Sequence, residues 1–211
     1  LGEGREGAVV PVGSCGLEEA LDKGAKMINW DKKEVSEDPN WKIGKGFAMI
    51  QQGSGLPGLD HSNAQVKLLP DGTFVVLSGG ADLGTGLDTI SAKCVCEILK
   101  VPMSVVSVIS GDTDSCLFDT GAYASSGTYF SGNASLLATK DLEKKILKEA
   151  SLQMGEKEEE LAIEYPGKVI SKATGKSLTY ANLAHASVAG DGRGNLIGTA
   201  SFTTPNFAVP Y

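Results

Sequence analysis

The chain has little positive charge, few histidines and no long apolar run, and each shortage closes a class of function. Lys and Arg number 19 against 26 Asp and Glu, a formal net charge of −7 over 211 residues. A protein that grips a nucleic-acid backbone needs a basic face to displace counterions, so nucleic acid is not an expected partner. The basic pair Lys144-Lys145 falls on a predicted helix, where a solvated face accounts for it. No membrane-length apolar run and no signal-peptide pattern occur. No membrane partner is therefore expected, and the reducing cytoplasm is the default compartment. The four cysteines, Cys15, Cys94, Cys96 and Cys116, include no C-x-x-C pair. Cys94 and Cys96 lie two apart on a predicted helix and point to different sides, which suits zinc poorly. His61 and His185 are the only histidines, and neither has a cysteine or carboxylate at ligand spacing. Free thiols and no metal site are the expectation.

What the chain does have is glycine, 27 residues of it. Glycine at that level implies many turns and close backbone approaches. One run is Gly79-Gly80-Ala81-Asp82-Leu83-Gly84-Thr85-Gly86, leading into a helix-like segment. A second small-residue run spans Ala124 to Ala134 and leads into another. Both read as helix N-termini suited to an anion, since free amides, the helix dipole and small hydroxyls converge there.

The surrounding pattern predicts α+β architecture, with mixed and antiparallel sheets and packed helices but no regular βαβ alternation. Helices are predicted over 17–30, 87–100, 133–153 and 177–188 from apolar spacing. The stripe of the second is read as Leu87, Ile90, Cys94, Ile98 and Leu99. Strands are predicted at 43–51, 105–110 and 195–202. Pro70-Asp71-Gly72 and Pro166-Gly167 mark two hairpins, 64–69 with 73–78 and 161–164 with 168–171. The termini, Leu1-Gly2-Glu3-Gly4 and Phe207-Ala208-Val209-Pro210-Tyr211, read as cut ends, so residues 1–211 are expected to be part of a larger domain.

Two familiar phosphate motifs fail. No Lys follows Gly84 or Gly86 at P-loop spacing, and Gly84-Thr85-Gly86-Leu87-Asp88-Thr89 lacks the third glycine of a dinucleotide fingerprint. A glycine loop used only as a tight connection stays open beside a ligand-binding one. Asp112 and Asp114 in Gly111-Asp112-Thr113-Asp114 could form an acid–base or metal pair, though such aspartates more often organise their own loop. Gln51 and Gln52 either approach a ligand or end a strand. Tyr123 and Phe130 are read as packing residues flanking the second loop.

The ordered series Asp71-Gly72-Thr73-Phe74-Val75-Val76, Gly79 through Thr89, Glu97 through Pro102, Gly111-Asp112-Thr113-Asp114 and Ala124 through Ala134 resembles one family. Trp30-Asp31, Gly44-Lys45-Gly46-Phe47-Ala48 and Gln51-Gln52-Gly53-Ser54-Gly55 fall in the same order. Together they resemble the molybdopterin-binding subunit of the xanthine dehydrogenase and aldehyde oxidase molybdenum hydroxylases, over nearly the whole chain. The resemblance implies an oxidoreductase that oxidises a purine, N-heterocycle or aldehyde with oxygen from water. It also implies iron–sulfur and flavin partners alongside the rest of the subunit. The implied cofactor is molybdenum–molybdopterin, plain or as the cytosine dinucleotide. Leu83, Gly84, Thr85 and Gly86 match the loop that touches the pterin. Ser125, Ser126, Gly127 and Thr128, continuing through Gly132, Asn133 and Ala134, match the loop that holds its phosphate end.

The sequence departs from that family in ways that shape the expectation. Thr85 stands where Gln is usual, and Ser126-Gly127 where Ser-Arg often occurs, so reach and a cation are lost. The Gly-x-Gly-Glu motif that carries the catalytic glutamate does not occur. No catalytic residue is therefore expected here, and the isolated chain is expected to lack cofactor and activity. A scaffold or interaction module that keeps the fold without cofactor is the alternative expectation.

Overall fold

The structure is a computed structural model that describes residues 15–50, 58–190 and 192–203. Chain contacts divide it into two units, one described over residues 15–50 and the other over residues 58–190 and 192–203.

In the first unit, α1 (Leu17–Met27) carries Glu18 and Glu19 in its first turn and Lys26 in its last, which complements the helix dipole. It ends three residues before the predicted boundary because Asn29 turns left-handed, with φ 49°. None of its residues is buried. The Lys45 ammonium closes the following loop by donating to the carbonyls of Asn29 and Lys32, each at 2.7 Å, and pairing with Glu34 at 2.9 Å. Trp30 and Phe47 meet edge to face at 5.1 Å. A shallow cavity of about 370 Å³ opens beside Trp30, Ile43 and Lys45. The strand predicted from Ile43 is not formed over residues 43–50, which pair with no strand among the described residues. Gly44 and Gly46 weaken an extended run, and a strand needs a ladder partner. Gln51, Gln52 and Gly53 to Gly55 lie outside the described residues, as do both termini.

The second unit is built on a four-stranded sheet of order β3-β2-β1-β7, comprising β1 (His61–Leu68), β2 (Phe74–Ser78), β3 (Val106–Ser110) and β7 (Ile197–Thr203). The first predicted hairpin is present: Asp71 accepts from the Thr73 amide and hydroxyl, and β1 pairs antiparallel with β2. Between β2 and β3, α2 (Leu87–Leu99) makes a crossover that leaves the two strands parallel. This single βαβ unit stands within an otherwise antiparallel sheet, in keeping with the expected lack of regular βαβ alternation.

Helix α3 (Gly127–Met154) runs across the sheet beside α2. It begins six residues before the predicted start, because Phe130 is buried against Tyr129 and Phe202 and Gly132 lets the helix pack beside Ile90. A Cβ on Gly198 of β7 would lie 2.1 Å from the Ala138 carbonyl oxygen and 2.6 Å from the Leu142 amide nitrogen. That contact explains a glycine inside a strand. The buried face of α2 is Leu87, Ser91, Ala92, Val95 and Leu99, so the expected stripe is rotated and Ile90, Cys94 and Ile98 sit at its margin. Val66, Phe74, Val76, Val95, Leu99, Leu142 and Ile146 form the centre of the core, each at most 1% exposed.

A second, antiparallel sheet of β4 (Leu161–Glu164), β5 (Lys168–Ser171) and β6 (Ser177–Thr179) completes the unit. The helix predicted from Ser177 begins later, as α4 (Tyr180–His185), because Thr179 rather than Ser177 caps it by accepting from the Asn182 amide. Tyr180 ties this region to the core, donating to the Leu99 carbonyl at 2.8 Å and stacking edge to face on Phe74. Among the described residues no helix is long and apolar enough to cross a membrane.

Candidate functional site

Because β2 and β3 are parallel, with Ser78 opposite Ser110, both strands end at one edge of the sheet. Residues 79–86 leave β2 there to enter α2, and residues 111–126 leave β3 there to enter α3. β1 starts at the same edge, since Ala64 pairs with Ser78, and β7 finishes there, since His61 pairs with Thr203. Ligands of open α/β sheets settle outside the carboxyl ends of parallel strands. The topology thus brings the two singled-out loops to one place.

The two helix starts are chemically unlike. At α2 the anion is already supplied by the chain. Asp82 Oδ1 accepts from the Gly84 and Gly86 amides at 2.9 and 3.1 Å, and Oδ2 from the Asp88 amide at 3.3 Å. Burial opposes ionisation of this carboxyl, but the amide donors outweigh it and hold it below the usual carboxylate range. The reading of this helix start as an anion site is therefore narrowed: Asp82 takes the Gly84, Gly86 and Asp88 amides, and its charge repels a second anion. Leu83, Gly84 and Thr85 remain exposed above it, Leu83 at 69%.

At α3 no acidic residue lies in the first turn, and Ser126 gives no side-chain cap. Its amide and hydroxyl both donate to the Tyr123 carbonyl instead, at 3.0 and 2.7 Å. The amides of Gly127, Thr128 and Tyr129 belong to the turn that has no partner inside its own helix. Ser125 and Thr128 are exposed beside them. Ala124 and Ser125 both hold left-handed backbone, φ 48° and 53°, a conformation that L-residues keep only where the surroundings impose it. Gly132 and Ala134 are buried in the second turn of α3, where Gly132 faces Ile90, and Asn133 donates to the Tyr129 carbonyl at 2.6 Å. The structure thus leaves Ser125 and Thr128 exposed, buries Ser126 and sets Gly132 and Ala134 into helix packing.

The segment between β3 and α3 is stitched to its surroundings. Asp112 accepts from the Asp114 amide at 2.9 Å and the Ser115 hydroxyl at 2.8 Å, which depress its carboxyl and make it the organiser of its own loop. The Thr120 amide donates to the His61 carbonyl at 3.2 Å, and the Asn63 side chain donates to the Phe118 carbonyl at 2.5 Å. Asp119 accepts from the Ser131 hydroxyl of α3 at 3.0 Å. Tyr123 donates its hydroxyl to Asp60, a carboxylate only 1% exposed, and this bond raises the phenol's pKa. Phe130 is a packing residue as expected, buried against Tyr129 and Phe202, whereas Tyr123 also carries a polar link that the sequence reading missed.

Sequence reasoning also missed Asp60, Asp82 and Asp119. Asp82-Leu83-Gly84 does carry the signal of an Asx turn, and that signal could have found it. Among the described residues no three His, Cys, Asp or Glu side chains gather as a metal site. Burial raises the Cys94 and Cys96 thiols above their ordinary range. His61 rests its ring 5.1 Å from Phe118, and His185 is exposed at the end of α4.

Two loops thus meet at one sheet edge, one capped by the Asp82 carboxylate and one that enters its helix without a side-chain cap. Residues 23–211 match the molybdopterin cofactor-binding domain family, and the chain belongs to that family. The chain is 47% identical to the "Probable hypoxanthine oxidase XdhD" of Escherichia coli strain K12 over 212 residues, 100% of this chain and 22% of that protein. It is 35% identical to the xanthine dehydrogenase molybdenum-binding subunit of Escherichia coli O157:H7 over 147 residues, 67% of this chain and 20% of that subunit. The solved quinoline 2-oxidoreductase from Pseudomonas putida 86 shares the fold with a TM-score of 0.63 at 25% identity, covering 72% of this chain and 20% of that one. The chain spans about a fifth of the length of these relatives. The family resemblance drawn from the ordered motifs is thereby established.

Proposed function

We propose that residues 1–211 are part of the cofactor-binding domain in the large subunit of a molybdenum hydroxylase. The parent oxidises a purine, another N-heterocycle or an aldehyde with oxygen from water. It passes the electrons to iron–sulfur and flavin partners, and it works in the cytoplasm. The 47% identity to a protein named as a hypoxanthine oxidase favours the purine. A bound molybdenum–pterin supplies the redox chemistry, and the protein holds and orients it.

The contrast between the two helix starts carries this reading, because it sorts the cofactor's two ends. Its phosphate end belongs at α3, where first-turn amides and the Ser125 and Thr128 hydroxyls are presented without a nearby acid in the turn. A Cβ on Gly127 would meet nothing within 4 Å, so the space over that turn is open. The uncharged pterin belongs along Leu83, Gly84, Thr85 and Gly86, where Asp82 excludes phosphate and a Cβ on either glycine would also meet nothing. Ser126, buried, closes the turn, while Gly132, Asn133 and Ala134 set the position of α3. The donor set fits the plain pterin and its cytosine dinucleotide form alike. Thr85 offers one hydroxyl, a shorter reach than a glutamine amide. With no Gly-x-Gly-Glu in the sequence, the base for the reaction comes from elsewhere in the parent, and the isolated chain neither retains cofactor nor turns over substrate.

Purification of the full-length parent, with molybdenum and pterin measured alongside purine and aldehyde oxidation, tests this. Stoichiometric cofactor and hydroxylation by the parent, with neither in the isolated chain, is the expected result. A parent free of both molybdenum and pterin would instead establish a scaffold that has kept the fold alone.

A further inference from the structure

The second loop reaches its helix through a turn that is fixed at both ends. At the helix end, the Tyr123 carbonyl receives the Ser126 amide and hydroxyl. At the sheet end, the Tyr123 hydroxyl donates to Asp60, 63 residues away and 1% exposed, immediately before β1. Asp60 is itself tied to the far strand, since its carbonyl accepts from the Thr203 hydroxyl of β7 at 3.1 Å. Between these anchors sit Ala124 and Ser125, both left-handed. Two consecutive non-glycine residues do not hold that conformation unaided. Tyr123 is 41% exposed, yet its polar end is turned inward to a buried carboxylate. Simple packing of the ring does not require that bond.

The neighbouring ties do not replace it. Thr120 and Phe118 are held to β1 upstream of the turn, and Asp119 is held to Ser131 downstream of it. A Cβ on Gly79 would lie 2.3 Å from the Leu117 carbonyl oxygen and 2.8 Å from the Asp119 Cβ, so this stretch is closely seated on the first loop. Tyr123 joins the sheet edge directly to the residue before the left-handed turn.

We infer that Tyr123 is a positioning residue for the phosphate end of the cofactor. Its bond to Asp60 keeps Ala124 and Ser125 in the turn that fixes the first amides of α3 and the Ser125 and Thr128 hydroxyls. The inference rests on the cofactor-holding function proposed above. Tyr123→Phe keeps the ring and removes the bond, which frees the turn to leave the left-handed region. The same variant takes a donor from the buried Asp60 carboxylate and so threatens stability for a separate reason. Adding Asp60→Asn removes that buried charge without restoring the mooring.

The test uses the full-length holo subunit and reads two quantities: the rate at which molybdenum and pterin are lost on dialysis, and the thermal midpoint. Both Tyr123→Phe and the Tyr123→Phe/Asp60→Asn double variant should lose cofactor about tenfold faster than the parent protein, because preorganised donors are worth that order of affinity. The double variant should do so with its thermal midpoint restored. Release at the parental rate from both variants would overturn the role of Tyr123 while leaving the proposed function intact. Rapid release from the single variant that is cured along with the midpoint in the double would reduce the role to stability and overturn it equally. An unsubstituted subunit that never carries cofactor would overturn the function itself.

Discussion

Arg193 grips Glu149 with two hydrogen bonds, Nε to Oε2 at 2.9 Å and Nη2 to Oε1 at 2.5 Å. The Glu149 side chain is 5% exposed on α3, and Arg193 is 32% exposed in the stretch before β7. Gln153 adds a third donor at 2.5 Å. The Arg193 hydrogen bond is the largest influence on Glu149 and, with Gln153, depresses its carboxyl despite burial. A depressed folded-state pKa contributes stability that is present above the unfolded value and lost as pH falls through the folded one. Arg193→Met should therefore cost about 2 kcal/mol near neutral pH, less than for a fully dry pair because Arg193 is partly solvated. The gap between variant and parent should close as pH drops below the ordinary glutamate range, and denaturant titrations across that range would show it.

Gly198→Ala should be among the most damaging small substitutions in the second unit. The added methyl would meet the Ala138 carbonyl at 2.1 Å and the Leu142 amide at 2.6 Å, and both are helix backbone. Neither can swing aside as a side-chain end can, so α3 and β7 must part. A loss of about 3 kcal/mol is expected from such overpacking, read as a fall in the denaturant midpoint.

Asp82→Ala should lower the thermal midpoint, since the Gly84, Gly86 and Asp88 amides lose their acceptor. It should also create an anion site where none is open. Weak, salt-sensitive binding of inorganic phosphate, followed by calorimetry and absent from the unsubstituted protein at that loop, is the expected gain. The stability difference should shrink in acid, because the depressed Asp82 carboxyl protonates there in both unfolded and folded chains.

Much of this was legible in the residues. The β1–β2 hairpin announced itself through Pro70-Asp71-Gly72, and α2 through its apolar spacing. The family order of motifs pointed to the cofactor before any geometry did. The early start of α3 was hidden because glycine and serine read locally as loop. Only contact with α2, at Gly132 beside Ile90, and with the loop before it, at Ser131 beside Gly80, makes small residues an advantage in a helix. The strand expected from residue 43 is missing over 43–50 for a non-local reason too, since an apolar run without a ladder partner makes no sheet. The Asp60–Tyr123 bond spans 63 residues and has no local pattern at all. Asp82 was visible as an Asx turn, but its consequence, an occupied helix start, depends on how the chain closes around it.

Gly127→Asp in the full-length subunit separates cofactor binding from folding at the α3 helix start. Position 127 has open space for a side chain, and its backbone is not in the positive-φ region. A carboxylate in the first turn of a helix favours the helix by about 0.5 kcal/mol. At the same place it would compete with the cofactor's phosphate for the amides of α3. The subunit should keep or raise its cofactor-free thermal midpoint while its molybdenum and pterin content falls severalfold. Undiminished cofactor in a stably folded Gly127→Asp subunit would contradict the placement of the phosphate end at α3.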